Sequence, residues 1–193
     1  MTEDTKQRII KILIDDPALI LLLKNKYIDD ELWEFCLERE PSLFEHIKDP
    51  SIKMCNYALE LDGNNLKYIL NSENNIKITR KMIYIAITSC PKVIIDIPPI
   101  MLDEGLKEFA FDKDPSLMQY FDNIRSSYIK KRIKENPSII QFIKNPDDAL
   151  VEETLKYEPN ILLYFDKITP NMFAIIEEYY PYLIPLINKD LYT

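Results

Sequence analysis

Apolar residues fall along this chain in short clusters that recur about every 22 residues, and nearly every cluster is opened by a proline. The openers are Pro17, Pro41, Gly63 (standing where proline would), Pro91, Pro115, Pro137, Pro159 and Pro181. With the opener as position one, position three holds Leu19, Leu43, Asn65, Val93, Leu117, Ile139, Ile161 and Leu183. Position four holds Ile20, Phe44, Leu66, Ile94, Met118, Ile140, Leu162 and Ile184, and position seven is apolar from Leu23 to Ile187. At about 100° per residue these positions share one stripe, so each opener predicts a short first helix with one buried face. Asp16, Asp62, Asp114 and Asn136 precede their openers, where a side-chain oxygen can accept the orphan amides of the first turn. Proline at the first helical position forfeits no hydrogen bond.

A second stripe lies between one first helix and the next opener. It runs through Leu32, Trp33, Cys36 and Leu37, then Met54, Cys55, Ala58 and Leu59, then Met82, Ile83, Ala86 and Ile87, and continues to Met172, Phe173 and Ile176. The spacing is helical, no segment alternates as a strand would, and Cys36, Ala58, Ala86 and Ala110 form a column of small residues. Asp49-Pro50, Asn145-Pro146 and Thr169-Pro170 are the expected starts of second helices. Ile9, Ile12 and Leu13 mark a lone second helix ahead of the first opener. Helices this short are not stable alone in water, so they must stack on neighbours. The expected fold is all-α, an α-solenoid of about eight short helix-pair repeats, with an irregular compact helical bundle as the alternative. It is a single domain over 1–193: a capping helix at 1–16, seven helix pairs over 17–180, and a capping helix and tail at 181–193. Gly63, the insertion Leu70–Lys77 and Ile97-Pro98-Pro99 break the pattern.

Composition narrows function mainly by exclusion. The longest aliphatic run, Ala18 to Leu23, is far short of a membrane span, and the acidic start MTEDTKQRIIKILIDD is unlike a secretion signal. A soluble protein of the cytoplasm, without membrane contact, is expected. The three cysteines, Cys36, Cys55 and Cys90, lie in or beside apolar segments and read as reduced thiols. A net charge of −8 opposes nucleic acid and anionic membranes. One histidine, His46, and neither a metal-ligand spacing nor a phosphate-cradling glycine loop leave no catalytic, cofactor or metal residue to name. The chain therefore reads as a non-enzyme without cofactor; a carboxylate-based enzyme is the weakest alternative.

Two features remain as candidate partner-binding residues. Arg125, Lys130, Lys131, Arg132 and Lys134 crowd into one second helix and could receive an acidic partner, a phosphate or RNA. Phe35, Tyr57 and Phe109, with Ile85, occupy one repeat position just off the buried stripe, where aromatics could form an exposed ladder. Terminal repeats, including Tyr179-Tyr180-Pro181-Tyr182, could join subunits in a homo-oligomer.

The segments EPSLFEHIKDPSIKMCNYALELDG and NPSIIQFIKNPDDALVEETLKYEP resemble the helical repeats of roughly 22 residues found in uncharacterised proteins of large phages, giant viruses and some bacteria. The resemblance covers about Asp16 to Asn188, and abundant Ile, Lys, Asn and Tyr suit an A/T-rich genome of that kind. It implies a fold and brings no catalytic residues. A long regular surface with no catalytic set leads to the expected function, a non-catalytic protein–protein interaction scaffold, phage- or virus-encoded and acting on a host protein in the host cytoplasm. Nucleic-acid or nucleotide binding through the basic helix 125–134 is the alternative.

Overall fold

An aspartate or asparagine followed by proline sets the chain extended and then turns it sharply, and the turn that results is tighter than an α-helix. The computed structural model describes residues 2–71, 76–188 and 191. Among them the structure is helical, apart from an isolated bridge at Ile168, whose amide donates to the Leu191 carbonyl at 2.7 Å. Seven openers begin six-residue 3₁₀ helices: Pro17–Leu22, Pro41–His46, Pro91–Asp96, Pro115–Tyr120, Pro137–Phe142, Pro159–Tyr164 and Pro181–Leu186. Asp114 shows how one is built. Its backbone is extended (φ −144°, ψ 95°), its side chain accepts from the Ser116 amide at 3.0 Å, and its carbonyl accepts from the Leu117 amide at 3.1 Å. The run closes when the Phe121 amide donates to the Met118 carbonyl with Phe121 already extended. In these seven units position seven therefore lies outside the helix, contrary to the expectation of a helical stripe. In the third unit, by contrast, Ile69 falls within an α-helical turn, Leu66–Leu70. Position seven is fully buried only at Ile69 and Ile97 among the eight units.

The second helices are α-helical. They are α1 (Glu3–Asp15), α2 (Asp30–Leu37), α3 (Ile52–Leu61), α5 (Arg80–Ser89), α6 (Glu104–Lys113), α7 (Ser126–Glu135), α8 (Asp148–Leu155) and α9 (Pro170–Tyr179); α4 (Leu66–Leu70) extends the first helix of the third unit. Asp29, Ser51, Thr79, Asp103, Asp147 and Thr169 each accept from the amide three residues on, satisfying a donor that the helix start leaves open. Two expected starts are corrected here. Ser51 and Asp147 cap α3 and α8, so Asp49-Pro50 and Asn145-Pro146 belong to the preceding turns, and Asn145 adopts φ 52°. Thr169-Pro170 starts α9 as expected.

The buried side chains are those that the repeat register selects. Positions three and four are buried in most units, and the column Cys36, Ala58, Ala86 and Ala110 is fully buried. Ile12 is the exception in α1: it is 54% exposed, because the stripe there is narrowed to Ile9 and Leu13.

The chain divides into two compact units, Met1–Leu106 and Lys107–Thr193. In the first, α2 packs on α3 and α3 on α5, while the turn at Pro41–His46 meets Gly63–Asn65 and the latter meets Pro91–Asp96. In the second, α7 packs on α8 and α8 on α9, and the three turns from Pro115 to Tyr164 pack in succession. Polar bonds one unit apart repeat the pattern. Lys53 reaches Glu34 at 2.7 Å and Tyr57 reaches Glu38 at 2.9 Å in the first unit; Arg125 reaches Glu108 at 2.6 Å and Asn171 reaches Glu152 at 2.8 Å in the second. Exposed pairs of this kind add little stability, but they favour one register between neighbours.

The irregular third unit has a steric cause. The Gly63 amide donates to Ser89 Oγ at 3.1 Å, and a Cβ on Gly63 would lie 2.3 Å from the Ala86 carbonyl oxygen. Proline, with no N–H and a ring in that space, cannot serve there. Within the insertion Leu70–Lys77, positions 72–75 lie outside the described residues.

Candidate functional site

The basic helix α7 separates into two sets of side chains. Its arginines turn toward α6: Arg125 pairs with Glu108 at 2.6 Å, and Arg132 pairs with Asp112 at 3.3 Å and with Glu135 at 2.6 Å. Between them buried Tyr128 donates to the Asp112 carboxylate at 2.6 Å. Burial, and then the Asp112 acceptor, push the phenol well above its ordinary pKa. Lys130, Lys131 and Lys134 are exposed and without an ion pair among the described residues. Spaced i, i+1 and i+4, they point to one side of the helix. The sequence-level cluster of five is thus two structural arginines and three free ammonium groups.

The aromatics Phe35 and Tyr57 of the first unit are half-buried, as are Ile85 there and Phe109 in the second unit. None is an open hydrophobic face. The Arg39 guanidinium lies 3.8 Å from the Phe35 ring centroid, and the Lys113 ammonium 5.6 Å from that of Phe109. The Tyr57 hydroxyl donates to Glu38 Oε1, and burial followed by that bond pushes its pKa up to about 12. For Phe35 and Phe109 the cation stands four residues further along the chain, a spacing that brings it over the ring.

Residues considered for chemistry occupy ordinary places. His46 is exposed, with Nε2 3.3 Å from Glu45 Oε1. Asp29 and Asp147, each from an adjacent acidic pair, are helix caps. Among the described residues there is no group of three metal-ligating side chains, and no helix is long and apolar enough to cross a membrane. Clefts in the second unit lie between successive turns; one of about 220 Å³ is lined by Phe121, Ile143 and the left-handed Asn123 and Asn145, which stand 22 residues apart at φ 57° and 52°.

A different surface stands out in the second unit, on the first-helix side. The turns PSLMQY, PSIIQF, PNILLY and PYLIPL contain no Asp, Glu, Lys, Arg or His. Positions three and four of the first two turns and position three of the third are buried, so the charge-free outer face is carried mainly by positions two, five and six. Position six carries Tyr120, Phe142, Tyr164 and Leu186, each 22 residues from the last. Tyr120 is 53% exposed, Tyr164 40% and Leu186 78%, and Leu163 beside Tyr164 is 82% exposed. Gln119 and Gln141 at position five donate to the Ser116 and Ser138 carbonyls at 2.9 Å, which holds the polar groups of this face against its own backbone. The missing signal was an absence: no charge at any outward position of four successive turns, in a chain that is 29% charged.

No protein-family model, no curated protein and no solved structure matches this chain.

Proposed function

We propose that this protein is a non-catalytic helical-repeat scaffold that binds another protein, and that the uncharged first-helix face of the Lys107–Thr193 unit makes the contact. One observation carries the reading: four successive turns expose tyrosine, leucine, glutamine and asparagine and no charge at all. Interface cores are depleted in charge and enriched in aromatic residues, whereas a face that meets only water has no reason to exclude the commonest surface residues. The eight openers in one register support an array of helix pairs. The likeness to phage and giant-virus repeats supports a host protein as the partner, in the host cytoplasm.

Photo-cross-linking in the natural host tests the assignment. A benzophenone amino acid replaces Tyr164 in one variant and Glu153, an exposed residue of α8, in another. Adduct formation with a host protein at position 164 and none at 153 is expected. Adducts at 153 and none at 164 would overturn the placement of the site.

A second reading rests on Lys130, Lys131 and Lys134, which are free to meet an acidic partner or a phosphate backbone. It requires salt-dependent retention of labelled single-stranded RNA that K130E/K131E abolishes. The net charge of −8 works against it.

A further inference from the structure

The dimensions of the uncharged face restrict what can lie on it. A six-residue 3₁₀ helix is about 12 Å long, and neighbouring helices pack about 8–10 Å apart. The three turns that pack in succession span two intervals and give a strip about 16–20 Å by 12 Å, or roughly 220 Å², less than a third of the ~800 Å² per partner that a stable contact between folded proteins buries. Charged residues fence it, with Asp114 and Glu158 before two openers and Asp122, Lys144 and Asp166 just beyond position seven. Asp122 and Lys144 pair with each other at 2.9 Å along that edge. A narrow, fenced, uncharged strip suits one extended chain.

From this we infer that the strip binds an uncharged, proline-rich segment of the partner in the polyproline II conformation, lying across Tyr120, Phe142 and Tyr164. The inference rests on the scaffold reading above and names the class of its ligand. Polyproline II repeats every three residues with a rise of about 3.1 Å each, so the same side returns every ~9 Å, the spacing of the rungs. Its carbonyls have no internal partners and need donors. The Tyr120 and Tyr164 hydroxyls are exposed and have no hydrogen-bond partner among the described residues, so two donors stand on the strip at every second rung. An α-helical ligand has its own carbonyls bonded within the helix and makes no use of the two hydroxyl donors.

Fluorescence anisotropy with a labelled dodecaproline peptide tests the inference, beside acidic and basic peptides of equal length. Binding of dodecaproline that changes little between 50 and 500 mM salt, with neither charged peptide retained, is expected. Y120A/Y164A should weaken it about tenfold or more, as loss of two aromatic anchors does at other interfaces. Q141E and Q141K, which place opposite charges on the exposed middle rung, should both weaken it while circular dichroism reports an unchanged fold. Absence of dodecaproline binding at millimolar concentration, or binding that survives all these variants, overturns the inference. If cross-linking at position 164 still succeeds in that case, the scaffold reading stands and only the ligand class falls; if both fail, both fall.

Discussion

Asn65 stands where every other unit has an aliphatic side chain, and the structure says why replacing it should be costly. It is 1% exposed, and its Nδ2 donates to the Pro41 carbonyl at 3.2 Å, in the preceding unit, and to the Ala58 carbonyl at 3.1 Å. Asn65→Ala removes both bonds, each worth about 1 kcal/mol net, so a loss of about 2 kcal/mol is expected. Asn65→Asp keeps the shape, but it turns a donor into an acceptor aimed at two carbonyl oxygens away from water. That should cost about 3–4 kcal/mol at neutral pH. Such a carboxyl is held neutral in the fold, so its folded pKa exceeds its unfolded value of about 4. The folded state then retains the extra proton, and the variant's deficit is smallest below the unfolded pKa and grows as pH rises through the folded one.

Trp33 is the sole tryptophan and lies in the same compact unit, so its fluorescence in urea reports the unfolding of that unit. The expected result is a deficit for Asn65→Asp that shrinks by about 1–2 kcal/mol between pH 7 and pH 4, with the Asn65→Ala deficit unchanged. Equal deficits at pH 7, or a pH-independent deficit for Asn65→Asp, would refute the donor role.

Three further outcomes follow from other contacts. Gly63→Ala places a methyl 2.3 Å from the Ala86 carbonyl oxygen, a backbone atom with little room to yield, so about 3 kcal/mol is expected to be lost in the same Trp33 assay. Burial pushes the Cys36 thiol up to about 11 and raises that of Cys55, so a thiol reagent at pH 8 should react fast with one group, half-buried Cys90, and Cys90→Ser should remove that phase. Tyr57 and Tyr128 should ionise last among the 12 tyrosines in an absorbance titration. Because their folded pKa values are raised, their contribution to stability is complete below pH ~10 and is lost as pH climbs through the folded values.

The all-α class, the openers and the buried columns were legible because they depend on local rules: an Asx–Pro start, a fixed period and apolar side chains in register. What failed depended on geometry one step removed from the pattern. Prolines drew the expected starts of α3 and α8 to positions 50 and 146, although the side chains of Ser51 and Asp147 are the ones that reach an amide three residues on. The six-residue first helices coil as 3₁₀ turns, whose i, i+3 spacing is hard to tell from the α pattern over so short a run. The aromatics expected to be an open ladder, Phe35, Tyr57 and Phe109, meet their own helices' charged side chains or those of a neighbour, a coverage that depends on rotamers. The basic helix was visible, but its division into two engaged arginines and three free lysines required coordinates for Glu108 and Asp112. The charge-free strip was written in the sequence throughout. It is an absence of charge at outward positions, and which positions face outward depends on the packing of the turns.

The central claim is that each module leans on its neighbours in the chain and on little else, and deleting one whole module tests it most directly. Removal of 137–158 joins Asn136 to Pro159 and so preserves a capped opener at the seam. Modular packing gives a helical protein that still unfolds cooperatively in urea, with an m-value lower by about a tenth, in line with the surface removed. A chain that loses its cooperative transition, as a bundle gathered round one shared centre would on losing two of its helices, contradicts it.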